Sequence, residues 1–225
     1  MNGRARDLLI FNVAAGMAAI HFMLSTSGTP LERVTWTYII MWLVSLILLI
    51  WLRLYGGERG DLVDYDENLK RRHLPLVFGS VAAISILCNL AVSGVSTAGA
   101  IYVPQPSFAW SMPQEASRIS AVANDLLYNF VLVANAEENM KLAAALAIYR
   151  KTHNKWLSVL LPVGFWAFLH AYQAYTGPYL WIMIAAAFAS GLILFKLLET
   201  TRSLENAIIA HGIYNSTVVL ARLLF

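Results

Sequence analysis

Seven stretches of this chain are apolar over about 20 residues each, the length that carries a helix across the hydrocarbon core of a bilayer. In lipid every backbone N–H and C=O must be satisfied within the segment, so such runs fold as helices. The predicted spans are Asp7–Leu24, Val34–Tyr55, Pro75–Val95, a long run from Gln114 to Tyr149, Trp156–Tyr175, Tyr179–Leu198 and Leu204–Leu224. The fold class that follows is all-α: a polytopic membrane helix bundle of about seven transmembrane helices. Composition agrees, with 59% hydrophobic and 13% charged residues and a mean hydropathy of +0.61. The net charge of +3 is small, and its basic residues sit between apolar runs, which argues for membrane orientation and against nucleic acid as a partner. The lone Cys88 excludes an internal disulfide. The basic N-terminus and first apolar run have no small-residue cleavage site after them, so they read as an uncleaved first helix.

Local signals set the boundaries. Pro75 suits the first turn of the third helix, and Ser203 offers an N-cap to the seventh. The stretch from Ser96 to Pro113, with Tyr102, Phe108 and Trp110, reads as a loop along the membrane interface. The Gln114–Tyr149 run is too long for one perpendicular span, so it either starts as an interfacial helix and bends inward or tilts strongly. Residues 1–113 thus form an N-terminal three-span region with an interfacial loop, and residues 114–225 a four-helix core, within one integral membrane domain. If the spans alternate, Arg4, Arg6, Arg53, Arg59, Lys70, Arg71, Arg72, Arg150, Lys151, Lys155, Lys196 and Arg202 share one side, and only Arg33, Arg118 and Arg222 the other. The positive-inside rule makes the first side cytoplasmic, with the N-terminus inside and the C-terminus outside a cell membrane.

Ionisable groups in hydrocarbon are expensive and by default mark function. The densest cluster is Asn135, Glu137, Glu138, Asn139 and Lys141 in the fourth run, at the end of a polar face that begins with Asn124, Asp125 and Asn129. His170 interrupts the fifth run, and His211 and Asn215 the seventh. Counting from the cytoplasmic ends, Glu137 lies about 20 Å up, His170 about 22 Å, and His211 and Asn215 about 13 and 20 Å. Three helices therefore bring polar groups to similar depth. Glu137 and Lys141 stand one turn apart, with Glu preceding Lys in the favourable order, and can pair. His211 and Asn215 are likewise one turn apart on one face, and together can donate to a developing oxyanion. Read alone, His170 is a helix-packing donor, and His211 with Asn215 interhelical glue. His21, His73 and His153 are read as structural or solvated, the connector Glu58–Arg72 as a solvated loop, and the Met and Trp residues of the second and sixth spans as lipid-facing or packing residues.

The Glu137-Glu138 pair, His170, and His211-x-x-x-Asn215 preceded by Ser203-Leu204-Glu205-Asn206-Ala207-Ile208-Ile209-Ala210 resemble the three motifs of the CPBP intramembrane proteases, which include the type II CAAX prenyl endopeptidases and the Abi proteins. The resemblance covers about residues 114–224. Where the family usually has an arginine four residues after the second Glu, this chain has Leu142, and its Lys141 makes a Glu-Glu-x-x-Lys motif similar to PrsW-type proteases. Trp166 stands where the family usually has Phe.

The resemblance implies an intramembrane endopeptidase acting on a membrane-bound or lipidated peptide. Glu137 or Glu138, helped by His170, would activate water, with His211 and Asn215 holding the oxyanion and Lys141 supporting whichever Glu stays ionised. Withdrawal from water makes a carboxylate a better base. No cofactor is expected; if zinc bound, Glu138, His170 and His211 would be its ligands. The chain lacks a His-Glu-x-x-His signature. The expected partners are membrane lipids and the peptide substrate, or a partner protein if the chain is a silent relative, an immunity protein or a subunit of a larger assembly. A proton-coupled transporter is a weaker reading, because no internal repeat is visible.

Overall fold

The computed structural model describes residues 3–28, 32–55, 73–97, 123–124, 126–172 and 180–224. These form seven α-helices: α1 (Gly3–Thr26), α2 (Glu32–Tyr55), α3 (Leu74–Thr97), α4 (Ala134–Thr152), α5 (Lys155–Tyr172), α6 (Leu180–Thr201) and α7 (Leu204–Leu224). A π-helical segment, Tyr128–Val133, leads into α4. The protein is an all-α membrane bundle. Residues 74–91 of α3 and all of α6 are long and apolar enough to cross a membrane, and α1, α2 and α5 carry shorter apolar stretches, Asn12–Leu24, Thr35–Trp51 and Lys155–Leu169. Met17, Ile47, Leu90, Phe165 and Trp181 point outward, as side chains facing lipid do. The connector Glu58–Arg72, the loop 96–113, the start of the long fourth run and the turn 176–178 lie outside the described residues.

Helix α4 differs from its neighbours in composition: polar residues replace the apolar stripe, and its first two turns are almost wholly buried. That burial requires partners on every side. α2 lies along α4, α5 and α7 flank it, and α6 closes against α5, α3 and α7. Ala134, Ala136, Ala143 and Ala145 of α4 are buried and give the backbones room to approach. Leu142, Ala145, Val159, Val163, Phe195, Leu198, Leu204 and Ile208 make the core between α4, α5, α6 and α7. A second cluster, Phe22, Ile39, Tyr128 and Leu132, joins α1 and α2 to the π segment. Trp42 of α2 is buried and donates its indole N–H to Asn12 Oδ1 of α1 at 3.0 Å.

In its described part the long fourth run passes through the π segment into α4. Its π segment widens the helix just before the polar cluster, the kind of insertion found often at functional sites. Room for it comes from α7: a Cβ on Gly212 would lie 2.6 Å from Phe130 Cδ2 and 2.8 Å from its Cγ. A larger residue after His211 would therefore have to push the Phe130 ring aside for the two elements to meet this closely.

Two short corners set helix register. His153 ends α4 at φ 51°, and Asn154 caps α5, its Oδ1 accepting the Leu157 N–H at 3.0 Å. Arg202 takes φ 53° after α6, and Ser203 caps α7 as expected, with Oγ accepting from the Asn206 N–H at 3.4 Å and donating to Glu205 Oε2 at 2.6 Å. Across the bases of α5 and α6, Glu199 binds both Lys155 and Lys196. The lesser histidines sit as expected or deeper: His21 is exposed and bonds Asn124 Oδ1 at 3.1 Å, while His73 is buried and its carbonyl accepts the Val77 N–H.

Candidate active site

Four of the ionisable residues singled out in the sequence converge on one place. Glu137, Glu138 and Lys141 of α4 and His211 of α7 are each no more than 3% exposed. His211 Nδ1 lies 2.7 Å from Glu138 Oε1, and its Nε2 lies 3.6 Å from Glu137 Oε2. The imidazole thus stands between two carboxylates. Adjacent glutamates on a helix diverge by about 100°, so only a group wedged in from a neighbouring helix can address both.

The pairing of Glu137 with Lys141 that their spacing allows is not formed. Lys141 Nζ sits 2.6 Å from Glu138 Oε1, one residue closer in sequence, and 4.2 Å from the centre of the Trp166 ring. The indole face attracts the ammonium and holds it on the Glu138 side. Glu137 is instead claimed by two neutral donors. Trp166 Nε1–H of α5 donates to its Oε2 at 2.7 Å, and the Tyr38 hydroxyl of α2 donates to its Oε1 at 3.1 Å. Trp166 also meets the His211 ring edge-on, with centroids 5.9 Å apart.

The other polar residues singled out in the sequence are less directly involved. Asn139 Nδ2 donates to the Asn135 carbonyl at 2.9 Å and also contacts Asn135 Oδ1, so this amide pair is bonded within α4. Asn215 lies one turn beyond His211 on α7 and is half-buried. His170 belongs to α5, with its side chain outside the described residues. Sequence reading did not find Tyr38, because a tyrosine near the outer end of an apolar run looks like an interfacial anchor. Trp166 stood out only as a departure from a family Phe; its indole N–H was the clue to a buried acceptor nearby.

Residues 120–217 match a family model described as Type II CAAX prenyl endopeptidase Rce1-like. That match supports membership of the CPBP superfamily. The matched stretch takes in the π segment, α4, α5, α6 and most of α7, and so contains both glutamates, Lys141 and His211 of the cluster. Helices α1, α2 and α3 lie outside it. At the level of that CPBP family the activity is membrane-embedded proteolysis of CAAX type. No curated protein and no solved structure matches the chain.

Proposed function

We propose that the chain is an intramembrane endopeptidase that hydrolyses a membrane-bound or lipidated peptide with water activated by Glu137. The observation that carries this reading is the wedge of His211 between two buried carboxylates that are held by different partners.

Glu138, with an ammonium 2.6 Å away, is ionised and only accepts hydrogen bonds, so His211 Nδ1 carries the hydrogen between them. That contact fixes the imidazole plane. Nε2, at 3.6 Å from Glu137, is beyond a good hydrogen bond and is left to address a water or a carbonyl oxygen that approaches the pair from one side. Lys141 and Glu138 cancel in charge, and an imidazolium at His211 would cancel Glu137. A cluster neutral as a whole is far cheaper to bury than one with a net charge.

In the proposed reaction Glu137 takes a proton from water, and the resulting hydroxide adds to the scissile carbonyl carbon. The carbonyl oxygen becomes an oxyanion and accepts from His211 Nε2–H and the Asn215 amide. Collapse re-forms the carbonyl and breaks the C–N bond, and the proton on Glu137 passes to the leaving amine. His170 assists at the water, a role carried over from the family motif. No step is routed through a metal: the water is activated by the carboxylate itself, and the Lys141 ammonium lies 2.6 Å from the Glu138 carboxylate that a cation would need.

A silent, partner-binding reading rests on Leu142, which is buried in the apolar core where the family's arginine would stand. Lys141 restores the positive charge one residue earlier and favours hydrolysis. The test is incubation of the purified protein in nanodiscs with an internally quenched farnesylated peptide ending in a CAAX sequence. Time-dependent cleavage is expected, and an intact peptide would overturn the reading.

The same proposal puts the N-terminus and the α4–α5 corner in the cytoplasm, where Arg150, Lys151 and Lys155 cluster. In a Cys88→Ser background, Asn154→Cys is expected to react with a membrane-impermeant maleimide in inverted vesicles and not in intact cells. The opposite labelling would reverse the topology.

A further inference from the structure

We infer that Tyr38 of α2, outside the stretch that matches the family, is a positioning residue for Glu137, so that the N-terminal helices complete the centre rather than merely surround it. This rests on the reading of Glu137 as the group that activates water.

A tyrosine in an apolar span usually sends its hydroxyl to the water interface, where it costs nothing to satisfy. Tyr38 turns inward, and its hydroxyl meets Glu137 Oε1 at 3.1 Å across the boundary between α2 and α4. The ring has little freedom. It packs edge-on to Tyr128, with centroids 6.1 Å apart and planes at 89°. Tyr128 in turn stands edge-on to Phe22 of α1 at 5.0 Å. Three aromatic rings from α1, the π segment and α2 thereby hold one hydroxyl at a set position. The contact is a built one.

Its consequence lies in the orientation of the carboxylate. A carboxylate has about four acceptor directions. Trp166 occupies one on Oε2 and Tyr38 one on Oε1, and these two donors from different helices fix the plane of the group. The directions left over are those with which Glu137 can take a proton from water. With Trp166 alone the carboxylate would be held at one oxygen and free to rotate about it. Pre-organisation of this kind, by rigid residues behind the reacting group, is what keeps a site within productive geometry.

Tyr38→Phe keeps the aromatic packing and removes only the hydroxyl. With the farnesylated peptide in nanodiscs, kcat is expected to fall about 10-fold, the size of one lost hydrogen bond to a charged group, with KM unchanged within about twofold. A second readout does not depend on turnover. The infrared carboxyl band of Glu137, isolated by subtracting the spectrum of Glu137→Gln, is expected to change frequency when the same subtraction is made in the Tyr38→Phe background. A Tyr38→Phe protein with unaltered kcat and an unmoved Glu137 band, beside an inactive Glu137→Gln, overturns the role of Tyr38 and leaves the hydrolytic reading standing. If Glu137→Gln is as active as the unaltered protein, the hydrolytic reading falls, and the band alone decides whether Tyr38 holds Glu137.

Discussion

Replacing Lys141 by methionine is expected to destabilise the folded bundle by about 3–5 kcal/mol, the cost of leaving one member of a buried ion pair without its partner. Lys141 and Glu138 are 2% and 3% exposed and lie 2.6 Å apart, so neither can recruit bulk water when the other is lost. Methionine matches the stem in length and removes only the charge. The ammonium also lies over the Trp166 ring at 4.2 Å, a contact whose loss adds about 0.5–2 kcal/mol. Removing both charges, in Lys141→Met with Glu138→Gln, is expected to recover most of the loss, because no uncompensated charge then remains. Denaturant unfolding in one detergent, followed by tryptophan fluorescence, gives the comparison. A Lys141→Met protein within about 1 kcal/mol of the parent would show that the pair is not buried as described.

Glu137→Gln is expected to lower kcat/KM by about 10²–10⁴-fold, the usual contribution of a positioned general base, while the bundle stays folded. The substitution is nearly isosteric. Glutamine can present its carbonyl oxygen to the Trp166 indole N–H and its amide N–H to the Tyr38 hydroxyl, which accepts as readily as it donates. Both neighbours thus stay satisfied, and the loss is confined to proton transfer. Binding of the uncleaved peptide should survive. Glu137→Gln with activity within tenfold of the parent would move the base elsewhere. Equal losses of stability and activity would make Glu137 a structural residue.

Much of the fold was legible because lipid imposes one requirement on every span. The apolar runs predicted seven helices, and α1, α2, α3, α6 and α7 begin and end within a few residues of the expected places, α7 at Leu204 and Leu224. The cap at Ser203 was visible since a serine before an apolar run has few other uses. The π segment was not visible. A π turn leaves no mark in residue type, and the glycine its Phe130 packs against, Gly212, lies some eighty positions later in the chain.

The cluster of Glu137, Glu138 and His211 was foreshadowed by depth, which follows from helix rise alone. Which glutamate would hold Lys141 was not, because i,i+3 and i,i+4 partners are equally near on a helix. The Trp166 ring and the donors on Glu137 decide it, and those come from other helices. Tyr38 was hidden for the same reason: nothing local distinguishes a tyrosine that faces an acid from one that faces the interface.

The most direct test of a hydrolytic centre in this bundle is the mass of its product. When the purified protein in nanodiscs acts on the farnesylated CAAX peptide in ¹⁸O-labelled water, the new C-terminal carboxylate is expected to carry one labelled oxygen, and the released fragment none. The Glu137→Gln protein should give almost no labelled product over the same period. An intact peptide with the unaltered protein, or equal labelled product from both, would contradict the assignment of Glu137, Glu138 and His211 as the centre of peptide hydrolysis.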